Sequence, residues 1–83
     1  MYEIFVLPPA QKDLDRLETP AFERLLKKIR DLSGDARPPG CLKLTGEGGH
    51  RLRIGDYRLL YRIDDKARRI YLYRIKHRKD AYS

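Results

Sequence analysis

Residues 51–63 read Arg51-Leu52-Arg53-Ile54-Gly55-Asp56-Tyr57-Arg58-Leu59-Leu60-Tyr61-Arg62-Ile63, and this stretch decides the fold. Apolar and basic residues alternate on both sides of Gly55-Asp56, the period of a strand with one buried face. Glycine at the first central position of a two-residue connection suits a type II′ turn, so an antiparallel hairpin and its register follow. Leu52, Ile54, Tyr57, Leu59, Tyr61 and Ile63 fall on one face of this hairpin. Arg51, Arg53, Arg58 and Arg62 share the opposite, open face, with Leu60 as its apolar exception.

Downstream, Asp64-Asp65-Lys66-Ala67 reads as a turn, and Arg69 to about His77 as a last strand. Ile70 and Leu72 have one parity in that strand, Tyr71, Tyr73 and Ile75 the other, so either a bulge or burial on both faces is expected. Upstream, residues 33–50 hold five of the six glycines together with Pro38-Pro39, which reads as a loop with a turn at Leu42-Lys43-Leu44. Before it, Phe22, Leu25, Leu26, Ile29 and Leu32 form one helical stripe. Thr19-Pro20 supplies its N-cap and first position, and Gly34 its stop. Ala10, Leu14 and Leu17 mark a shorter amphipathic helix over about 9–18, opened by Pro8-Pro9, and Tyr2 to Leu7 reads as a strand. The expected class is α+β. An N-terminal strand and a helical hairpin precede a three-stranded antiparallel meander. The first strand then completes a four-stranded antiparallel sheet, with both helices on one face.

Eighty-three residues without an internal linker are expected to form a single domain spanning 1–83. A chain this short buries only about 60–65% of the surface its unfolded form exposes. The longest apolar run is Ile4-Phe5-Val6-Leu7, far below the roughly 20 residues of a membrane-spanning helix, so no membrane partner is expected. Met1-Tyr2-Glu3 lacks the basic opening of a signal peptide, and a single cysteine, Cys41, suits a reducing compartment. The expected location is cytoplasmic.

Charge is distributed unevenly. Residues 1–41 hold seven Lys/Arg and seven Asp/Glu, whereas residues 42–83 hold twelve against five, so the net +7 lies wholly in the second half. That asymmetry points to a polyanionic partner. No metal site and no cofactor are expected: His50, His77 and Cys41 are scattered, and no carboxylate cluster has ligand spacing. Thr45-Gly46-Glu47-Gly48-Gly49 lacks the terminal Lys-Ser/Thr of a phosphate-binding loop. A nucleophilic pair of Cys41 with His50 or His77 is conceivable, but a small loop or core cysteine is the expected role. What remains is arginine. Guanidiniums match phosphate oxygens bidentately and stay charged at any working pH.

The run from Arg51 to Tyr61 resembles the central hairpin of the RelE/ParE superfamily, the toxins of type II toxin–antitoxin systems. Lys12-Asp13-Leu14, Lys43-Leu44-x-Gly46 and His77-Arg78-Lys79-Asp80-Ala81-Tyr82 fit the same resemblance, which covers essentially the whole chain and is greatest to the RelE branch. It implies a ribosome-dependent mRNA endonuclease that inhibits translation. Its chemistry is attack of a 2′-hydroxyl on the adjacent phosphate, and a cognate RelB-like antitoxin with an acidic segment neutralises it in a hetero-oligomer. By position, Arg58 matches the phosphate-binding arginine of the family. Arg51 and Arg53 stand where relatives often carry lysine, and Arg78 and Tyr82 match the terminal Arg and Tyr, the latter stacking on a base or moving a proton. Arginine does not readily give up its proton, so Lys76, His77 and Tyr82 are the candidate bases, His77 having the best ordinary pKa. Lys43, Arg62, Lys76 and Lys79 are the further RNA-binding candidates. Two other readings share these features: a ParE-like gyrase inhibitor that cleaves nothing, and a plain basic nucleic-acid-binding module.

Overall fold

The computed structural model describes residues 1–46 and 48–79. Five strands and two α-helices follow one another as β1 (Glu3–Val6), α1 (Pro8–Asp15), α2 (Thr19–Asp31), β2 (Cys41–Lys43), β3 (His50–Ile54), β4 (Tyr57–Asp64) and β5 (Arg69–His77). The sheet order is β1-β5-β4-β3-β2. β1 runs parallel to β5, and every other neighbouring pair is antiparallel.

This corrects the expectation of a four-stranded antiparallel sheet in two particulars, a fifth strand and the parallel pairing of β1 with β5. Cys41–Lys43 is a strand, pairing with Leu52, Arg51 and His50, where a turn was expected. Its three residues are too few to display a period, and the glycines around it masked the signal. Orientation then follows from counting. Each connection reverses the chain, and six reversals separate β1 from β5, so the two run together. Omitting β2 leaves five reversals and an antiparallel pair.

The helices form where the apolar spacing placed them, with small shifts at their ends. α1 opens on two prolines after an extended Leu7 and stops at Asp15, short of the expected residue 18. α2 takes Glu18, not Thr19, as its cap, and no side chain caps it by a hydrogen bond. The helix closes at Leu32, before Gly34 is reached. Among the described residues no helix is long and apolar enough to cross a membrane.

Ala10 and Leu14 of α1 and Leu25 and Ile29 of α2 meet Leu52, Ile54, Leu59, Tyr61, Ile70, Leu72 and Ile75 in one core, so both helices cover the same sheet face. The parity conflict in the last strand resolves as a bulge. Tyr61 pairs with Leu72 but Leu60 with Arg74, leaving Tyr73 as the extra residue. Ile70, Leu72 and Ile75 can therefore all face the core. Tyr61 is fully buried, and its hydroxyl donates to the Ala36 carbonyl at 2.9 Å, tying the loop after α2 to the sheet. At the surface, Arg37 and the Tyr2 hydroxyl hold Asp65, with the Arg37 guanidinium the main reason its carboxyl sits at about 2.

One contact closes the edge that β1 leaves uncovered. β1 ends at Val6, and Leu7 makes the last backbone bond to Leu72. Beyond it, the Asp13 carboxylate on α1 accepts from the Ile75 backbone N–H at 2.8 Å and from Arg74 Nε at 2.8 Å. The side chain takes the place of a strand. Asp13→Ala leaves that N–H without its acceptor, a loss of about 1–3 kcal/mol. Urea unfolding should show a lower midpoint at unchanged slope, and an unchanged midpoint would mean that Asp13 is dispensable.

Candidate functional site

The face of the sheet turned away from the helices carries the cations in rows set by strand register. Arg53, Arg58 and Lys76 are direct cross-strand partners on β3, β4 and β5. The next row is Leu42, Arg51, Leu60 and Arg74, and beyond it Arg62 stands opposite Tyr71, which stands opposite Phe5. At the near end, the turn between β3 and β4 follows the sequence closely. Gly55 has φ 59°, Asp56 is not left-handed, and Ile54 pairs with Tyr57, the pattern of a type II′ turn.

A concavity of about 330 Å³ opens beside this turn, lined by Arg53, Gly55, Asp56, Tyr57, Arg58 and Arg78. Arg78 arrives from the turn after β5, where its backbone N–H donates to the Asp56 carbonyl at 2.6 Å. Three of the arginines singled out by sequence thus converge on one hollow. Lys76 joins them as the register partner of Arg58. A fifth cation was missed. A Cβ placed on Gly55 would lie 3.1 Å from Arg24 Nη1, so Arg24 of α2 reaches the same turn. Its place between Glu23 and Leu25 on an amphipathic helix carries no signal of that reach.

Several expectations need correction. Arg58 is not solvated on an open face; it is only 8% exposed, so its truncation disturbs packing as well as charge. His77 pairs with Tyr57, edge to face at 5.0 Å, on the parity of the core side chains. Its Nδ1 accepts a hydrogen bond from the Lys79 N–H at 3.1 Å. The lone pair a base would use is occupied, and His77 lines a neighbouring depression with Asp56, Arg78 and Lys79 instead. Lys43, the partner of His50, shares the parity of Cys41 and projects from the other side of the sheet. Arg51 borders a second hollow with Gly40, Leu42, Arg53 and Gly55, in which Leu42 is 52% exposed. Arg62 lies two rows from the concavity. Tyr82 falls outside the described residues.

No Cys–His pair forms. Cys41 Sγ lies 3.1 Å from the Tyr61 hydroxyl, while the His50 ring stacks on Tyr61 at 5.8 Å. Tyr61 is pushed well above its ordinary pKa, chiefly by burial and then by its bond to Cys41. Among the described residues no three His, Cys, Asp or Glu side chains gather as a metal site.

With this geometry the relationships of the chain are clear. It belongs to the family described as the ParE toxin of the type II toxin–antitoxin system parDE, which it matches over residues 4–82. The protein is therefore a toxin of a type II system in the RelE/ParE superfamily, and its structural neighbours accord with the RelE branch. A chain in the crystal structure of the RelBE2 toxin–antitoxin complex from Mycobacterium tuberculosis superposes with a TM-score of 0.83 and 31% identity, covering 93% of this chain and 98% of that one. A chain in the archaeal RelE–RelB complex from Pyrococcus horikoshii gives a TM-score of 0.83 and 28% identity over 93% and 94% of the two chains. The intact RelBE complex from E. coli shares the fold at 21% identity, with a TM-score of 0.80 over 93% of this chain and 96% of that one. No curated protein sequence matches significantly.

His50 offers a pH readout of the core. It is 9% exposed, and burial, helped by Arg37 and Lys43, lowers its pKa. Above about pH 6.5 the imidazole is neutral in folded and unfolded chains alike and contributes no slope. As pH falls below that value the unfolded chain takes up the proton first, so stability declines, by at most about 1.4 kcal/mol per pH unit, until the folded pKa is passed. The melting temperature should drop as pH falls below about 6.5, less so in His50→Gln. Equal slopes for both proteins would exclude His50 as the cause.

Proposed function

We propose that this toxin is a ribosome-dependent endoribonuclease that cleaves mRNA. One observation carries the reading: Arg53, Arg58 and Arg78 converge on a single hollow with Lys76 beside Arg58. Guanidiniums held there accept a phosphodiester in the hollow and stabilise the charge of a pentavalent phosphorane, supplying electrostatically what the step needs. In that step the substrate 2′-oxygen bonds to phosphorus while the bond from phosphorus to the 5′-oxygen breaks. The products are a 2′,3′-cyclic phosphate and a free 5′-hydroxyl. The neutral amine form of Lys76 accepts the 2′-hydroxyl proton and becomes the ammonium, since Lys76 shares the row with Arg58 whereas His77 has its Nδ1 lone pair engaged. Tyr82 keeps its proposed role of stacking or proton delivery to the leaving oxygen. Arg51, Arg62 and Lys79 extend the positive surface along which RNA approaches, and Lys43 contributes from the opposite side of the sheet edge.

A second reading has its own support. The matching family is named for ParE, so a non-nucleolytic gyrase inhibitor is the alternative, and a plain basic binding module the third. Brief expression followed by primer extension on cellular mRNA separates them. Cuts inside translated regions fit the proposal, DNA damage without cuts fits gyrase, and absence of toxicity fits neither. Arg53 and Arg78 are exposed, so Arg53→Ala and Arg78→Ala should keep the native melting temperature. Each should lose about 10²–10³ in cleavage rate if it contacts the transition-state phosphate. Folded variants that cut as fast as the parent would remove the hollow from the reaction.

Two of the solved neighbours, at 31% and 28% identity, are toxin–antitoxin complexes, RelBE2 and RelE–RelB. We infer a cognate antitoxin here too, with an acidic segment over the arginine face, in a cytoplasmic hetero-oligomer. Binding to the folded toxin alone stabilises it by about 4 kcal/mol at a thousandfold excess over Kd. Complementary charge makes association fast and salt-sensitive. The product of the adjacent gene should copurify with the toxin and raise its melting temperature, and no shift on adding it would set the idea aside.

A further inference from the structure

Beyond the hollow, the same sheet face carries two guanidinium–aromatic stacks that the cleavage step does not use. Arg62 lies over the Tyr73 ring, 5.3 Å from its centroid. Tyr73 is the bulged residue of β5, and its ring rests on Gly49, where a Cβ would come within 2.9 Å of the hydroxyl. That hydroxyl is buried and makes no hydrogen bond, so the ring serves as a support and not as a polar group. Next to it, Tyr71 stacks on Phe5 at 5.4 Å and 20°, and Tyr71 is the cross-strand partner of Arg62. Phe5, Tyr71 and Tyr73 are all half-buried.

The charges here sort by partner. Arg69 lies over Phe5 and has the carboxylate residues Glu3 and Asp64 as its register neighbours on either side, whereas the register neighbour of Arg62 on β5 is Tyr71. Among the described residues the ion pairs join Arg37 to Asp65 and Arg74 to Asp13, and Arg62 takes part in neither. Arg62 is therefore an exposed guanidinium without a carboxylate partner among these ion pairs, placed over an aromatic ring. Guanidinium planes and aromatic rings are the surfaces on which unpaired bases stack, while the N–H edge suits a phosphate. Four residues along β4 separate Arg58 from Arg62, about 14 Å at the rise of a strand. A strand of RNA lying in the hollow at one end reaches this patch within a few nucleotides.

We propose that the Arg62–Tyr73 stack and the adjoining Tyr71–Phe5 pair form a second subsite, for single-stranded RNA, that holds the nucleotides beyond the cleaved phosphate. The assignment of RNA rests on the cleavage reading, but the subsite can be tested without cleavage. The probe is a short, fluorescein-labelled RNA, 2′-O-methylated throughout so that it has no attacking hydroxyl, titrated with intact toxin and followed by anisotropy. Tyr71→Ala and Arg62→Ala should each weaken binding about tenfold or more. Tyr71→Phe and Tyr73→Phe, which keep the rings, should bind as the parent does. Arg62→Ala should also reduce the slope of log affinity against log salt by about 0.7, and Tyr71→Ala should leave it unchanged.

Parental affinity and slope in folded Arg62→Ala, together with no binding deficit in Tyr71→Ala, would overturn the subsite. So would failure of the parent to bind the probe at all. If Arg62→Ala impairs only capture of the adjacent gene's acidic product, the patch belongs to a protein partner and the proposal falls. A parent that binds the probe in this pattern yet cuts no mRNA in cells refutes the cleavage reading and leaves the subsite standing.

Discussion

Arg53, Arg58 and Lys76 are held side by side across three adjacent strands, and the sheet has to be stable in spite of them. Like charges directly opposite each other on neighbouring strands are unfavourable, by roughly 0.2–1 kcal/mol per pair. What offsets this is the apolar row one residue away on the other face, Leu52, Leu59 and Ile75, all buried. Each such side chain contributes about 1.5–3 kcal/mol on full burial, so the apolar row outweighs the repulsion several times over. The helical hairpin exists, in this sense, to cover that row. Function and stability occupy the two faces of the same residues' backbone.

Much of this was legible in the sequence because it was written in period. The central hairpin, its turn, the two helices and the sorting of arginines to one face follow from alternation and spacing within residues 51–63 and 10–32. What escaped were features with no period to read. β2 is three residues long among glycines, and its omission inverted the orientation of β1. The bulge was foreseen only as one of two options, since a break in alternation and a doubly buried strand look alike in one dimension.

The site was legible in part for the same reason. Register placed Arg53, Arg58 and Lys76 in one row, and the return of Arg78 to the hairpin turn brought it to the same hollow. His77 was favoured for its ordinary pKa, a property of the residue type alone. Its engagement by the Lys79 N–H belongs to the local turn and is invisible until the backbone is folded. Arg24 and the burial of Arg58 are likewise tertiary facts: one comes from a distant helix, and the other is an exposure of 8% on the face where alternation alone expects solvent.

The bulge at Tyr73 sets the phase of everything after it. Before it, odd-numbered residues of β5 share the face of Tyr71; after it, the even-numbered Lys76 does, opposite Arg58. If β5 slid by one residue to restore an unbroken ladder, Lys76 would turn toward the helices and Ile75 toward water. The burial of Ile75, which is 4% exposed, opposes that slip. A hydrophobic side chain in the core thus acts as a detent for a cation on the far side of the sheet. A polar residue at position 75 would free the register of β5 and let Lys76 leave its place beside Arg58 without altering any residue of the cation row.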